Sequence, residues 1–230
     1  MMASPNRPKD WPRCAALLHR LRKDQSGVSF IELALILPVL LTLGLYGTEV
    51  AMMAMTNMQV GEIATSVADN ASRLGQTDNS TVSPTVKEAQ VDSVMWGALK
   101  EGSSFDFETN GRVVLSSLEY DSDTKRQFIH WQRCRGDLDR KSAYGEADPY
   151  KTGPVLDGMG VKDHKIYSVP NSAVMFVEVY YHYQPLFGTM FVKDQVFKHE
   201  AAFLIRDDRS LNPSGTKNGI TGTGSQSLCT

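Results

Sequence analysis

The sequence predicts an α+β protein in which a long N-terminal helix, apolar enough to cross a membrane, packs against an antiparallel β-sheet of about four strands. Two observations support this prediction. Apolar residues dominate from Val28 onward, and no charged residue occurs between Leu33 and Thr48, as is typical of a helix in a bilayer. Beyond about residue 110, the apolar residues change from helical spacing to the two-residue period of β-strands, in stretches bounded by Gly, Pro, Asp or Asn.

Residues 1–27 form a basic leader ahead of the apolar helix. Six Lys or Arg residues and only two Asp residues give this segment a formal charge of +4. Because Lys and Arg are costly to move through a bilayer, a basic flank keeps its end of the helix in the cytoplasm. We therefore expect the residues beyond about 60 to lie on the far side of the membrane.

The apolar pattern predicts one helix over about residues 29–74. The segment from Val28 to Tyr46, extended by the Met-rich stretch 50–58, is long enough to cross a bilayer, with Glu49 near the outer interface. Apolar residues then continue at helical spacing as far as Leu74, and Gly75 ends the pattern. The resulting helical segment spans residues 28–75.

The start of the apolar run carries an unusual signal. A secretory signal has its small-residue cleavage site after the apolar region, whereas here Gly27 precedes it, so cleavage would leave the helix attached. The arrangement resembles the type IV prepilin signal. That resemblance implies that a prepilin peptidase cuts after Gly27 on the cytoplasmic side, which makes Val28 the first mature residue and Glu32 the fifth.

Glu32 is the one acidic residue near the start of the apolar run. A carboxylate inside a membrane helix is expensive and usually has a partner. The resemblance to prepilins implies that this partner is the positively charged mature N-terminus of a neighbouring subunit, so Glu32 would serve in assembly docking. The alternative is that Glu32 lies at headgroup level near the cytoplasmic edge, where its charge costs little.

A longer stretch extends the resemblance. Residues 30–41 read Phe-Ile-Glu-Leu-Ala-Leu-Ile-Leu-Pro-Val-Leu-Leu, which is similar to the start of TadE-like and TadG-like pseudopilins of the tight-adherence (Flp-type) pilus machinery. Leu33 stands where the small major pilins of this system have Tyr, and the chain is several times longer than those pilins. The resemblance therefore implies a minor pseudopilin that takes part in pilus assembly for adhesion, biofilm formation and surface attachment.

The resemblance also implies partners and a location. The expected partners are the prepilin peptidase, other pilins and pseudopilins of the same pilus, the inner-membrane assembly platform and the lipid bilayer. We expect a single-pass protein of the bacterial inner membrane with a cytoplasmic N-terminus and a periplasmic C-terminal domain, which the pilus could incorporate. The runner-up is an uncleaved single-span envelope protein whose outer domain binds a ligand or scaffolds a complex.

The predicted extracytoplasmic domain spans residues 76–211 and has the general plan of pilin subunits. A short helix is predicted over 86–100, followed by four strands over 112–120, 127–134, 174–183 and 196–206. In the third strand, alternation predicts that the face containing Met175 and Val177 lies in the core and that the face containing Phe176 and Glu178 is partly wet. Residues 135–171 are predicted to form a long excursion, and residues 212–230 a flexible tail.

The three cysteines are predicted to lie on different sides of the membrane. Cys14 belongs to the leader, whereas Cys134 and Cys229 lie in the predicted outer domain, where oxidising conditions favour a disulfide bond between them over two free thiols. No two cysteines stand at the close spacing of a zinc-ligand pair, which disfavours zinc.

The sequence offers no enzyme motif and predicts no catalytic residue, metal site or cofactor. Lys151-Thr152-Gly153 matches one element of penicillin-binding proteins, but a three-residue match is weak evidence by itself. Arg135-Gly136-Asp137 is an adhesion tripeptide whose plain interpretation is a solvated turn. The whole chain carries −2, so the part after Gly27 carries −6, which argues against nucleic-acid binding by bulk charge.

Overall fold

The computed structural model describes residues 16–17, 19–20, 22–23, 27–75, 83–206, 209–212, 219–222 and 227–229. The chain divides into two compact units, Met1–Thr48 and Glu49–Thr230. One helix and a four-stranded antiparallel sheet are its main elements, and the α+β class predicted from the sequence is confirmed. The predicted domain boundaries stay predictions.

Helix α1 comprises the 45 residues Val28–Ser72. From residue 60 onward it buries one stripe of small and β-branched side chains at helical spacing, as the sequence pattern predicts; the stripe comprises Val60, Ile63, Ala64, Val67, Ala68 and Ala71. The buried Arg209 donates to the carbonyls of Ala71 and Leu74 at 3.5 and 2.8 Å. These contacts add a side-chain donor to carbonyl groups at and just beyond the C-terminal end of α1, where the regular helical hydrogen bonds stop.

The strands of the sheet are β2 (Gly111–Asp121), β3 (Arg126–Arg135), β4 (Ala173–His182) and β5 (Val196–Leu204). Their order in the sheet is β3-β2-β4-β5, with all neighbours antiparallel. A bulge shifts the β2–β3 register between Ser117 and Leu118. All four strands lie within about two residues of their predicted limits.

Shorter elements complete the fold. They are strand β1 (Val86–Lys87), helix α2 (Glu88–Glu101), a 3₁₀ turn at Gly102–Phe105, helix α3 (Phe107–Asn110), a 3₁₀ turn at Gly188–Met190 and strand β6 (Ile220–Thr221). The prediction of helix from residue 86 is wrong for its first two residues. Val86 and Lys87 instead pair in parallel with Ile220 and Thr221, because a distant segment supplies their backbone partners.

The main core lies between one face of the sheet and the stripe of α1, with α2 beside it. Buried side chains of β2 and β4 on this face include Val113, Leu115, Met175 and Val177. Burial of apolar surface contributes about 25 cal/mol per Å², so this face stabilises the second unit.

The second face of the sheet is also buried, which corrects the prediction that Phe176 and Glu178 are partly wet. Phe176 packs with Met159, Tyr144 and Ile166 of the 135–171 excursion. Glu178 is completely buried. The excursion therefore forms a cover over this face, which alternation within the strand alone cannot reveal.

Candidate functional site

Gly27 stands at the first turn of α1. Its carbonyl accepts the amide of Ile31 at 3.1 Å, the helix begins at Val28, and both residues are exposed. Among the described residues, no atom beyond the adjacent backbone lies within 4 Å of the place where a Cβ on Gly27 would be. The Gly27–Val28 bond therefore lies at an exposed helix start.

Glu32 lies one turn further along α1 and is exposed. Among the residues that the structure describes, it has no hydrogen bond or ion pair. Its neighbours Ile31 and Leu33 are also exposed. The carboxylate thus lies on the exposed surface of α1, in an otherwise apolar stretch of sequence.

The segment from Leu33 to Thr48 presents its apolar side chains outward. Helix α1 is the one described helix that is long and apolar enough to cross a membrane. Thr42 donates its hydroxyl to the carbonyl of Pro38 at 2.8 Å, and Thr48 donates to that of Gly44 at 2.9 Å. Because these bonds satisfy both hydroxyl donors within the helix, neither threonine needs water there.

Glu49, the first residue after that segment, is completely buried. One carboxylate oxygen accepts the hydroxyl of Tyr183 at 2.7 Å and the amide of Leu186 at 3.3 Å. The other oxygen accepts the amide of Phe187 at 3.0 Å. The prediction put Glu49 near the outer interface and gave it no partner, so the structure adds a fixed attachment between α1 and the chain that follows β4.

The Tyr183 hydroxyl stays protonated, as its hydrogen bond to Glu49 requires. Burial and the hydrogen bond to the Glu49 carboxylate raise the pKa of the Tyr183 hydroxyl above its ordinary value. The phenol therefore stays protonated at physiological pH and remains a donor. Its ring lies 5.7 Å from that of Phe197 on β5, so both ends of the loop between β4 and β5 are fixed by packing.

The buried Glu178 on the other face is likewise satisfied inside the chain. It accepts the hydroxyl of Ser142, the amide of Ala143 at 2.9 Å and the hydroxyl of Tyr180 at 2.7 Å. A groove of about 600 Å³ lies nearby, lined in part by Tyr144 and Lys198. Within the described residues, no group of three or more His, Cys, Asp or Glu side chains could hold a metal ion.

Cys134 and Cys229 form a disulfide bond, with their Cα atoms 4.8 Å apart. This is the pair that the sequence favours. Beside it, the amide of Cys134 donates to the carbonyl of Ser227 at 2.7 Å, and the Ser227 hydroxyl donates to Asp92 at 2.7 Å. The disulfide and these bonds attach residues 227–229 to β3 and α2.

The charged residues that begin the Lys151-Thr152-Gly153 and Arg135-Gly136-Asp137 motifs both contact other side chains of the fold. In the first, Lys151 forms an ion pair with Asp121, which lowers the pKa of Asp121 to about 2, with a further contribution from the hydroxyl of Thr124. In the second, the guanidinium of Arg135 lies 4.2 Å from the ring centre of Trp96. Each charged side chain thus has a partner within the fold.

Comparison with known proteins adds one finding for the N-terminal part. Residues 27–73 match the model of a protein family described as TadE-like protein. The resemblance to TadE-like proteins predicted from the sequence is confirmed over these residues. No curated protein and no solved structure matches the chain.

Proposed function

We propose that this protein, whose residues 27–73 are TadE-like, is a minor pseudopilin that a prepilin peptidase matures between Gly27 and Val28. It takes part in assembly of a tight-adherence type IV pilus, which serves adhesion, biofilm formation and surface attachment. The observation that carries this proposal is the family match over a helix whose only charged residue from Val28 to Thr48 is Glu32.

Exposure at the start of α1 supports cleavage. A peptidase must hold the backbone on both sides of the bond it cuts, and a residue without a side chain permits close approach. Gly27 fits this requirement because it is exposed and, within the described part of the chain, no other side chain crowds it. Cleavage there removes the basic leader and leaves a new amine on Val28, while the apolar helix remains in the membrane.

Glu32 then provides the charge for docking. In an apolar setting a lone carboxylate is unfavourable, and a positive amine from a neighbouring subunit relieves that cost. Glu32 is exposed and has no partner within the described part of its own chain, so the carboxylate can accept this intermolecular bond. Loss of one member of such a desolvated pair costs about 2–5 kcal/mol.

The second unit supplies the head of the subunit on the periplasmic side of the inner membrane. Its sheet is covered on both faces, and the Cys134–Cys229 bond holds residues near the C-terminus against it. A rigid head of this type suits binding to other pilins and to the inner-membrane assembly platform. The mechanism is assembly, and no catalytic step is assigned to any residue.

A substitution at Glu32 tests the docking step. In a strain whose pilus depends on this protein, Glu32→Ala should reduce pilus number sharply while leader removal proceeds normally, because the cleavage site is unchanged. Pili are counted by electron microscopy, and leader removal is followed by gel mobility of the membrane fraction. Normal piliation by the Glu32→Ala chain would contradict the docking role.

The matched control is Glu62→Ala. Glu62 is an exposed acid on the same helix but lies beyond the charge-free segment, so its loss changes the net charge equally without affecting docking at membrane depth. We expect normal pili from this variant. Equal defects in the two variants would show that net charge, and not the position of Glu32, is what matters.

A further inference from the structure

The loop between β4 and β5 contains an unusual run of apolar residues. No Asp, Glu, Lys, Arg or His occurs from Tyr183 to Val192. Leu186 is 58% exposed and Met190 is 76% exposed, while Phe187 and Phe191 are half-buried and pack edge to face, with ring centres 6.4 Å apart. We call residues 185–192 the apolar loop.

Exposed apolar side chains are common on proteins and by themselves indicate nothing. The position of this loop is what makes it informative. The amides of Leu186 and Phe187 both donate to the carboxylate of Glu49, so the loop begins within one side-chain length of α1 at that residue. Glu49 directly follows the charge-free segment of the helix.

Helix dimensions place the outer membrane boundary at the same level. The 21 residues from Val28 to Thr48 span about 31 Å at 1.5 Å per residue, and the hydrocarbon core of a bilayer is about 30 Å thick. With Val28 at the inner boundary, Glu49 lies at the outer one. Tyr46 lies one turn before it, and tyrosine is enriched at this depth in membrane proteins.

The contacts of Glu49 fit a boundary position. A carboxylate at this level would meet lipid headgroups or acyl chains if it pointed outward. Its three hydrogen bonds instead come from Tyr183 and the backbone of the loop, and the side chain is completely buried. The same contacts that shield the charge from lipid hold the apolar loop at the level of the membrane surface.

We propose that the apolar loop lies in the outer interfacial layer of the bilayer, with Leu186 and Met190 in contact with lipid. It forms a second membrane contact of the chain beside the spanning helix. Lys193 and Asp194, both exposed, mark where the chain returns to water. This inference rests on the proposed membrane span but not on leader cleavage or on Glu32.

The loop would orient the head before assembly. A single helix leaves a domain free to tilt and rotate over the membrane, whereas a second contact restricts both motions. Extraction of the subunit into a pilus then requires removal of the loop from lipid as well as removal of the helix. The lipid contact therefore distinguishes a membrane-held state of the subunit from an assembled one.

Site-directed spin labelling of the full chain in lipid nanodiscs tests this proposal. Cys14→Ser removes the leader thiol, and Met190→Cys introduces a single label site while the Cys134–Cys229 bond is kept. Collision of the label with oxygen, which concentrates in lipid, is compared with collision with a water-soluble nickel complex. The nanodiscs contain phosphatidylethanolamine and phosphatidylglycerol.

Two further label sites provide the controls. Val155→Cys reports on an apolar residue of the excursion that is 72% exposed, and Leu40→Cys reports on the middle of the spanning segment. We expect collision of the nickel complex with the label at 190 to be severalfold lower than with the label at 155, and collision with oxygen to be higher. Leu186→Cys should repeat this result at a second position of the loop.

Other outcomes overturn the proposal in distinguishable ways. Equal nickel collision at 190 and 155 means that the loop lies in water. Low collision with both reagents at 190 means that protein, such as a second copy of the chain, covers the loop. If the label at 40 is also accessible to the nickel complex, the span itself is wrong, whereas a lipid-exposed label at 40 beside a water-exposed one at 190 rejects the loop contact alone.

Discussion

Removal of the Glu49 carboxylate should destabilise the second unit, and the three hydrogen bonds that it accepts allow the loss to be worked out. Glu49→Ala leaves three donors without their acceptor: the hydroxyl of Tyr183 and the amides of Leu186 and Phe187. The unpaired hydroxyl of buried Tyr183 costs about 1–3 kcal/mol, and each partly buried amide costs about 0.5–1.5 kcal/mol because water can reach it in part. These costs sum to about 2–6 kcal/mol, and we expect the free energy of unfolding to fall by about 3 kcal/mol because removal of the acid also relieves the cost of burying a charge.

Thermal unfolding of the full chain in detergent measures this effect. For a domain of this size, a loss of about 3 kcal/mol lowers Tm by about 6–12 °C. Trypsin provides a second readout, since Lys193 follows the apolar loop and should be cut faster once the loop loses its attachment to α1. Glu49→Gln, which keeps one acceptor oxygen, should give a smaller decrease in Tm.

Glu62→Ala is the matched control for Glu49→Ala as well, because it removes an exposed acid from the same helix. Its effect should stay within about 0.5 kcal/mol, as for most surface substitutions. If Glu49→Ala unfolds at the same temperature as Glu62→Ala and resists trypsin equally, then the carboxylate does not hold the loop. The attachment inferred from its three hydrogen bonds would then be refuted.

Two further predictions concern the stability of the second unit. Cys134→Ser should cost about 4 kcal/mol, because the Cys134–Cys229 bond closes a long loop in the unfolded chain; thermal unfolding with and without reductant checks this, and a Tm that reductant leaves unchanged in the native chain would contradict it. The pKa of Asp121 is lowered to about 2 by Lys151 and Thr124, so the contribution of Asp121 to stability is complete above about pH 4 and is lost as pH falls towards 2. Asp121→Asn should therefore flatten the decrease in stability over that pH range. Urea unfolding at several pH values measures this, and an equal decrease in the free energy of unfolding for the two chains would refute it.

The main elements of the fold could be predicted because their signals are local. A stripe of apolar side chains at helical spacing specifies α1, and period-two stretches specify the four long strands. The resemblance to a prepilin signal, which stays a prediction, likewise rests on the six consecutive residues from Gly27 to Glu32. Each of these inferences needs no knowledge of what the segment contacts.

The errors and omissions occurred where distant segments meet. Glu178 reads as a solvent-facing residue of an alternating strand, but Ser142 and Ala143 of the excursion supply its hydrogen bonds. Val86 and Lys87 read as the start of a helix, but they pair with residues near the C-terminus. No local pattern contains these partners.

Glu49 is a residue whose importance the sequence itself indicates. An acid that interrupts an apolar stretch is costly unless it is paired, and Glu49 interrupts this one just as Glu32 does. The sequence showed the need for a partner. It could not show that the partner was Tyr183 with the backbone of the loop, because Tyr183 lies 134 positions further along the chain than Glu49.

The central claim is that the leader is removed and the helix retained, and the intact mass of the native protein tests it most directly. Mass spectrometry of the protein from the membrane fraction should show the loss of residues 1–27, with Val28 at the N-terminus, and a Gly27→Leu chain should keep its full mass. A native chain that retains its leader in cells whose other pilins are trimmed would contradict the account and would favour an uncleaved single-span envelope protein.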